Sequence, residues 1–285
     1  MSKKGNGFSR RDFLKTAGVV SATSLVSARE TLAKISGTSE SEVTVVPTRP
    51  FGKTGVQVSI LSLGGMFDIP SNQLVLKQAL KWGVTYWDTA DCYEGGRSER
   101  GIGKFFAKYP ETRKKVFLVS KSDERGPGGM TRLLNRSLER MNTDYIDLYF
   151  VHGIRDIDEL DDSTRAWAQK AKAEGKIRLF GFSTHSNMEE CMLEAAKLGW
   201  VDGIMMTYNY RVMNKKKMKK AVAACKEAGI GLTAMKTQGG WSYGSSSAAK
   251  LVDSFVQKGF TDKQAKLKAV WTNSTIASIC SQMPN

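Results

Sequence analysis

Eight apolar segments of strand length alternate with helix-like segments along most of this chain, and this alternation restricts the fold more than any other feature. The predicted strands are Gln57–Leu63, a strand that begins at Tyr86, Val116–Val119, Tyr145–Val151, Ile177–Ser183, Gly203–Tyr208, Ile230–Met235 and Ile276–Cys280. Their apolar runs indicate burial on both faces, as in a parallel sheet covered by helices. Eight such units in about 235 residues fit an α/β fold of the (β/α)8 barrel type better than a doubly wound sheet.

The helical pattern separates the strands and also argues against the doubly wound alternative. That alternative would require a glycine-rich turn between a strand and a helix to hold phosphates. Gly101–Gly103 lies inside a predicted helix, and Gly126–Gly129 follows no strand directly. The predicted helices are Ser71–Gly83 with Ser71 as N-cap, Arg97–Ala107, Met130–Met141, Asp161–Ala173, Met188–Leu198, Lys216–Ala228, Ser245–Gln257 and one that opens with a Thr261–Gln264 capping box.

Residues 1–28 have the features of an export signal. The pair Arg10–Arg11 is followed by Phe13-Leu14-Lys15 and then by an apolar run, Thr16–Ala28, which ends in small residues. This order resembles a twin-arginine signal peptide more than a basic, unstructured terminus. The run is shorter than the ~20 residues that span a bilayer. We therefore predict a signal peptide at 1–28, a linker at 29–46, a barrel at 47–285, no stable membrane span, and an exported, periplasmic protein that crosses the membrane folded.

The net charge of +15 suits either an anionic ligand, such as a phosphorylated cofactor, or a solvated basic surface. The lysine-rich stretch Lys215–Lys220 begins a helix whose apolar residues have helical spacing. We read its lysines as a solvated face and predict no nucleic-acid partner. The four cysteines lack metal-ligand spacing, so no metal site is expected.

Polar side chains occur where three consecutive strands end. Asp88 ends the second strand and Tyr93 follows in its loop, Lys121 ends the third strand, and His152 ends the fourth. The carboxyl ends of neighbouring barrel strands meet at one face, where catalytic residues lie in barrels of this type. A lone lysine or histidine would more often be solvated or structural. Four such groups that converge indicate a site.

These four groups have complementary chemistry. A carboxylate in an apolar strand is costly to bury without a cation, which Lys121 would supply to Asp88. A nearby ammonium lowers the pKa of a phenol, so Tyr93 is predicted to be a general acid that works near neutral pH. An imidazole beside it can orient a carbonyl oxygen. The predicted chemistry is proton donation to a carbonyl oxygen while hydride attacks the carbon.

Several motifs together resemble the aldo-keto reductase family from about Thr48 onward. They are Arg49–Gly55, Trp87–Ala90 with Tyr93, Val119–Lys121, Asp144–His152, Gly181–Thr184 and Gly229–Lys236. The resemblance implies that Tyr93 is the general acid and that Lys121 lowers its pKa. It further implies that Asp88 holds Lys121 and that His152 orients the substrate carbonyl.

The resemblance also implies that NADP(H) or NAD(H) binds in an extended pose across the barrel mouth, without a glycine-rich fingerprint. The residues it assigns to the cofactor are Asp88, Ser183 and Thr184 near the carboxamide, Met235 against the ring and Lys236 beside the phosphates.

The chain departs from the family pattern at three cofactor positions and at its end. Thr184 replaces an asparagine, and Met205 and Met235 stand where many members have glutamine and tyrosine. The family continues past the eighth strand with a loop and helices that bind the adenosine phosphate and close the barrel, whereas this sequence stops at Asn285. We therefore expect a barrel without its last helix, and a sequence that is a fragment or a clipped chain.

Three functions remain open from the sequence. The first is NAD(P)H-dependent reduction of an aldehyde or ketone, with sugar-derived carbonyls among the candidate substrates. The second is an exported sugar oxidoreductase or epimerase with a tightly bound, internally recycled nicotinamide. The third is a non-catalytic binding or accessory protein on a barrel scaffold. The expected partners of the first two are a small carbonyl substrate and the twin-arginine export machinery.

Overall fold

The computed structural model describes residues 45–239 and 248–282. The predicted signal peptide (1–28), most of the predicted linker (29–46) and the start of the predicted helix Ser245–Gln257 lie outside these residues.

The described residues form a short hairpin followed by eight barrel strands and the helices between them. The hairpin strands are β1 (Thr48–Pro50) and β2 (Gln57–Ser59). The barrel strands are β3 (Leu61–Gly64), β4 (Tyr86–Asp88), β5 (Phe117–Ser122), β6 (Ile146–Ile154), β7 (Ile177–Thr184), β8 (Gly203–Thr207), β9 (Gly231–Met235) and β10 (Ile276–Gln282). The helices are α1 (Gln73–Lys81), α2 (Arg97–Lys108), α3 (Pro127–Met141), α4 (Asp162–Ala173), α5 (Met188–Leu198), α6 (Lys216–Ala228), α7 (Ala249–Gln257) and α8 (Asp262–Trp271).

The eight strands form a closed parallel barrel, which confirms the predicted fold class. They are hydrogen-bonded in chain order from β3 to β10, and β10 pairs with β3 to close the ring. Asp88 of β4 lies opposite Val119 of β5, and Lys121 of β5 lies opposite Phe150 of β6. This register places the carboxyl ends of β4, β5 and β6 side by side, as the predicted site requires.

Residues that alternate along each strand fill two separate cores. One set faces the barrel interior, and the other packs against the surrounding helices. On β4, Tyr86 belongs to the interior cluster and Trp87 to the outer one; Trp87 stacks on Phe106 of α2. The interior cluster also contains Phe51, Val58, Phe117, Val119, Leu148, Phe150, Met205 and Ala277.

The hairpin before the barrel closes its amino-terminal end with Phe51, which is fully buried. Two glycines make room for this ring: a Cβ atom at Gly203 or Gly231 would lie 2.8 or 2.4 Å from its atoms. The predicted single strand Gln57–Leu63 is wrong because the chain bends at Ile60. Its first half pairs antiparallel with β1, and only Leu61–Gly64 joins the barrel.

The helix-terminus predictions had mixed outcomes. The capping box is confirmed: the Thr261 hydroxyl accepts from the Gln264 amide, and the Gln264 side chain accepts from the Thr261 amide. Ser71 is not an N-cap, because it lies in a short 3-10 turn and α1 begins only after Asn72. The apolar face of α6 is buried and the lysines at its start are exposed, as predicted.

Within residues 45–239 and 248–282, no helix has both the length and the apolar character needed to cross a membrane.

Truncating Phe51, the buried ring that closes the amino-terminal end of the barrel, should destabilise the fold. We expect Phe51→Ala to lower the free energy of unfolding by about 3–5 kcal/mol, because it leaves a cavity against two glycines that cannot fill it. Leu74→Ala is a control, since Leu74 is 80% exposed and its truncation should change stability by less than about 0.5 kcal/mol. Urea unfolding of the full chain measures both. A loss below about 1 kcal/mol for Phe51→Ala would contradict this role for the hairpin.

Candidate active site

The structure brings the four predicted catalytic side chains together at the carboxyl end of the barrel. Asp88 is the last residue of β4, and Lys121 and His152 lie near the ends of β5 and β6. Tyr93 begins a short 3-10 turn, Tyr93–Gly96, in the loop that follows β4. Strand alternation explains the first three positions, because each follows an interior residue by two places: Tyr86, Val119 and Phe150.

The Lys121 ammonium is the centre of this group. It is 1% exposed and contacts three oxygens: Asp88 Oδ1 at 2.7 Å, the Thr89 carbonyl at 2.7 Å and the Tyr93 hydroxyl at 3.1 Å. Burial alone would lower the pKa of Lys121, but the Asp88 carboxylate and the Tyr93 phenol more than compensate and raise it above its ordinary value. Lys121 is therefore a buried cation that keeps its charge.

Two contacts of this group were missed by the sequence analysis. The Thr89 carbonyl is a backbone acceptor, for which a side-chain pattern gives no signal. Cys280 comes from β10, and its Sγ lies 3.6 Å from Asp88 Oδ2. Because β10 pairs with β3 and β3 pairs with β4, the closed barrel brings the last strand to the carboxylate.

The predicted pKa of Tyr93 is wrong in its net direction. Burial raises the pKa of the phenol to about 12, although the Lys121 ammonium opposes this rise. The contribution of Lys121 thus has the predicted sign but is smaller than the effect of burial. At neutral pH the phenol consequently holds its proton, which a proton donor must do before the reaction.

His152 lies beside Tyr93 with its ring held by a carboxylate. The two ring centroids are 5.7 Å apart in an edge-to-face arrangement. Nδ1 of His152 is 2.6 Å from Asp123 Oδ1 and 3.7 Å from Cys92 Sγ. Burial and the Lys121 charge lower the pKa of His152, while Asp123 raises it, and the net direction is downward.

Asp123 was missed by the sequence analysis, although a signal was present. It follows Lys121 by two residues, so strand alternation directs it to the same side of the sheet as Lys121. The residues Phe117, Val119 and Lys121 mark that side along β5. Extending the pattern by one position would have added Asp123 to the predicted site.

The fold brings one atom each of Cys92, Asp123 and His152 within 4.8 Å of one another, although the sequence lacks metal-ligand spacing. The Nδ1–Oδ1 distance of 2.6 Å is a hydrogen-bond distance. Two ligands of a tetrahedral zinc ion would be about 3.3 Å apart, given bonds of about 2.0–2.1 Å. Burial and the Asp123 charge raise the pKa of the Cys92 thiol to about 12, which disfavours the thiolate a metal would need. We interpret the cluster as hydrogen-bonded.

Of the two predicted carboxamide ligands, only Ser183 faces the barrel interior. It follows Leu179 and Gly181 on that side, and its hydroxyl oxygen accepts from the Gly153 amide at 2.9 Å. Thr184 follows Phe182, which packs in the outer core, and is fully buried. Its hydroxyl donates to the Ser186 carbonyl at 2.7 Å. The contact of Thr184 with the carboxamide therefore stays a prediction.

Two further predicted cofactor residues, Met235 and Lys236, lie at the carboxyl end of β9, at the barrel mouth. Met235 is half-buried at the end of β9, and Lys236 is exposed with a left-handed φ of 53°. Burial together with the charges of Lys236 and His152 lowers the pKa of His185 to about 4, which shows that these groups are close. An apolar surface next to a solvent-facing cation fits a nicotinamide ring with its phosphate groups.

Removing the buried cation should be more harmful than removing both partners of the ion pair. We expect Lys121→Met to lower the free energy of unfolding by about 3–5 kcal/mol, because Asp88 would be left as an unpaired buried carboxylate. The double variant Lys121→Met with Asp88→Leu should recover part of this loss. Chemical unfolding checks this, with Lys170→Met as control because that lysine side chain is 77% exposed. Equal losses in Lys121→Met and Lys170→Met would contradict the role of the pair.

Comparison with known proteins agrees with this geometry. Residues 61–271 match the model of the aldo/keto reductase family, and residues 7–27 match that of the twin-arginine translocation pathway signal sequence. The NADP(+)-linked aldo-keto reductase yakc of Schizosaccharomyces pombe is 33% identical over 48% of this chain and 45% of its own. L-galactose dehydrogenase of Arabidopsis thaliana is 25% identical over 67% of this chain and 65% of its own.

A solved structure shares the fold. The holo form of aldo-keto reductase AKR11C1 from Bacillus halodurans superposes with a TM-score of 0.67, at 22% identity, over 84% of this chain and 87% of the other. The chain spans 56–64% of the length of three further curated relatives. The signal-sequence match implies export across a membrane. The match over residues 61–271, together with the barrel and its site, shows that this chain belongs to the aldo/keto reductase family.

Proposed function

We propose that this protein reduces an aldehyde or ketone with NADPH or NADH and that Tyr93 donates the proton to the carbonyl oxygen. One observation supports this most directly. Lys121 donates to the Thr89 carbonyl and to the Tyr93 hydroxyl oxygen, and it forms an ion pair with Asp88. The Tyr93 oxygen thus accepts from Lys121, and its own hydrogen is left to be donated to a substrate.

The roles of the other groups follow from their contacts. When Tyr93 gives up its proton, a phenolate forms in a buried position, and the ammonium 3.1 Å away stabilises that charge. Asp88 keeps Lys121 charged and in place through the 2.7 Å ion pair. His152 stands beside the phenol, where a carbonyl substrate would be bound. The phenol regains its proton from solvent after the product leaves.

A reduced nicotinamide at the barrel mouth would supply the hydride. Ser183 and Met235 would contact its carboxamide and ring, Lys236 would neutralise its phosphates, and Asp88 lies beneath the reacting centre. The NADP(+)-linked relative supports the phosphorylated cofactor, and the net charge of +15 favours an anionic ligand. Competition between NADPH and NADH for binding to the full chain tests this choice.

The twin-arginine match supports export of the protein across a membrane, and we propose the periplasm as the compartment of the reaction. The export machinery carries folded proteins, so the cofactor could be acquired before export. Fractionation of cells that express the full chain tests this proposal. Retention of the full chain and of an Arg10→Lys, Arg11→Lys variant in the cytoplasm to the same extent would contradict it.

The export signal also favours a second candidate: a sugar oxidoreductase or epimerase whose nicotinamide stays bound and is recycled during each turnover. Free reduced nicotinamide is not regenerated outside the cytoplasm by cytoplasmic dehydrogenases, so a retained cofactor would solve the supply problem. One relative is named L-galactose dehydrogenase, which supports a sugar substrate. Nicotinamide released by denaturing the exported protein would support this candidate, and its absence would favour the exchangeable cofactor.

The third candidate, a non-catalytic accessory protein, is the weakest because function depends on the site rather than on the barrel. The four side chains of the site are present and in contact. Turnover by the wild type that exceeds that of a Tyr93→Phe, Lys121→Met double variant would eliminate it.

Removing the phenol hydroxyl should abolish reduction without abolishing cofactor binding. We expect Tyr93→Phe to lower kcat/KM for aldehyde reduction by about 10²–10⁴-fold, the usual contribution of a positioned general acid. Consumption of NADPH with a panel of aldehydes measures the rate, and NADPH fluorescence measures binding.

Tyr109→Phe is the matched control, because Tyr109 packs on Phe105 of α2 outside the site. It should leave both readings unchanged. Wild-type turnover with an undiminished rate in Tyr93→Phe would overturn the role of Tyr93, whereas absence of both turnover and NADPH binding in the wild type would overturn the proposed function.

A further inference from the structure

The turn that begins with Tyr93 has an unfavourable backbone. Its next three residues, Glu94, Gly95 and Gly96, have φ values of 51°, 60° and 81°. A left-handed φ is uncommon for a residue other than glycine, so the conformation of Glu94 is strained. Strained backbone of this kind persists only where the surrounding structure holds it in place. The position of the Tyr93 phenol therefore depends on contacts from outside the turn.

Arg140 of α3 supplies such contacts. Its Nη1 donates to the Asp91 carbonyl at 3.0 Å and to Glu99 Oε2 at 3.2 Å. A Cβ atom at Gly96 would lie 2.5 Å from the same Nη1, so the guanidinium packs directly on the backbone of that glycine. Asp91 precedes Tyr93 and Gly96 follows it. Arg140 thus holds the chain on both sides of Tyr93.

The carboxylate that pairs with Arg140 joins this contact to the strand of the site lysine. Glu99, in the first turn of α2, is fully buried, and its Oε1 accepts from the Ser120 hydroxyl at 2.7 Å. Ser120 directly precedes Lys121 in β5. The Arg140 side chain is 19% exposed, so solvent screens this ion pair little. The guanidinium is therefore tied both to the turn of Tyr93 and to the strand that carries the ammonium.

A second arginine of α3 fixes the start of the same loop. Arg136, one helical turn before Arg140, donates to Asp91 Oδ2 at 2.8 Å. The Asp91 side chain is 6% exposed, and its amide donates to the Lys121 carbonyl at 3.3 Å. Arg136 thus holds the side chain of Asp91, whereas Arg140 holds its carbonyl and the turn beyond it.

We propose that Arg140 is a positioning residue for proton transfer, which places the Tyr93 phenol 3.1 Å from the Lys121 ammonium by holding the strained turn from outside the barrel. This inference rests on the proposed reductase function. Arg140 acts through the backbone of the turn, whereas Lys121 acts on the phenol itself. Without Arg140 the left-handed turn relaxes, and the phenol moves away from the cation that stabilises its anion.

A pair of variants separates this role from a contribution to stability alone. Arg140→Met leaves Glu99 as an unpaired buried carboxylate and should destabilise the protein. The double variant Arg140→Met with Glu99→Gln removes that charge, while the amide oxygen can still accept from Ser120. We expect urea unfolding of the full chain to show that the double variant recovers most of the lost stability. The contacts with Asp91 and Gly96 remain lost in both variants.

Turnover should not recover with stability. We expect the double variant to lower kcat for aldehyde reduction by about 10²-fold, the usual cost of moving a catalytic group by about 1 Å. The Kd for NADPH, measured by fluorescence, should stay near that of the wild type, because the cofactor residues are not changed. A kcat that returns to the wild-type value together with the stability would overturn the proposal.

Arg132→Met is the matched control on the same helix. The Arg132 side chain is 60% exposed and pairs with Glu124, away from the turn of Tyr93. This variant should leave both the free energy of unfolding and kcat unchanged. The same loss of kcat in Arg132→Met as in the double variant would contradict a specific role for Arg140.

Carbon-13 NMR of the full chain, labelled at tyrosine Cζ, tests the position of the phenol without relying on activity. The chain has eight tyrosines, and a Tyr93→Phe variant identifies the signal of Tyr93. The double variant should shift this signal because the phenol oxygen loses its hydrogen bond from Lys121, whereas Arg132→Met should not.

The two measurements fail in different ways. An unshifted Tyr93 signal in the double variant would overturn the proposal even if the protein proves to be an active reductase. Absence of turnover in the wild type would overturn the proposed function and the catalytic consequence of Arg140, while the NMR signal would still decide whether Arg140 places the phenol.

Discussion

The buried ammonium of Lys121 is the interaction on which the rest of the site depends. Its charge is stable only because three oxygens surround it, from Asp88, Thr89 and Tyr93. These oxygens come from the end of β4 and from the turn after it, so the ion pair ties that turn to β5. Without the ammonium, a carboxylate would be buried with no cation, and the phenol would lose the group that stabilises its anion.

The residues that stabilise the barrel interior and the residues of the site lie on the same strands, at different positions along them. Tyr86, Val119 and Phe150 fill the barrel interior, and the site residues lie two positions further along the same strands. A shift of the register by one residue would turn both sets outward. The close packing of the interior, with Phe51 against two glycines, therefore also fixes the positions of Asp88, Lys121 and His152.

Much of this arrangement could be predicted from the sequence because it follows from periodicity. The alternation of strands and helices predicted the barrel, and the polar residues at strand ends predicted which side chains meet. The bend at Ile60 was missed because an apolar run has no signal for where pairing changes from a hairpin to a barrel. The net pKa shift of Tyr93 was missed because it depends on burial, which sequence neighbours do not determine. Asp123 could have been placed beside His152 by following the alternation of β5 one position further.

Two carboxylates hold the polar groups of this site in place. Asp88 keeps Lys121 charged through the ion pair, and Asp123 lies within hydrogen-bond distance of Nδ1 of His152. The charged ammonium then donates to the Tyr93 hydroxyl oxygen, so that oxygen accepts and its own hydrogen is left for a ligand. The ion pair between Asp88 and Lys121 thus determines the direction of the hydrogen bond at Tyr93, and with it the direction in which Tyr93 can transfer a proton.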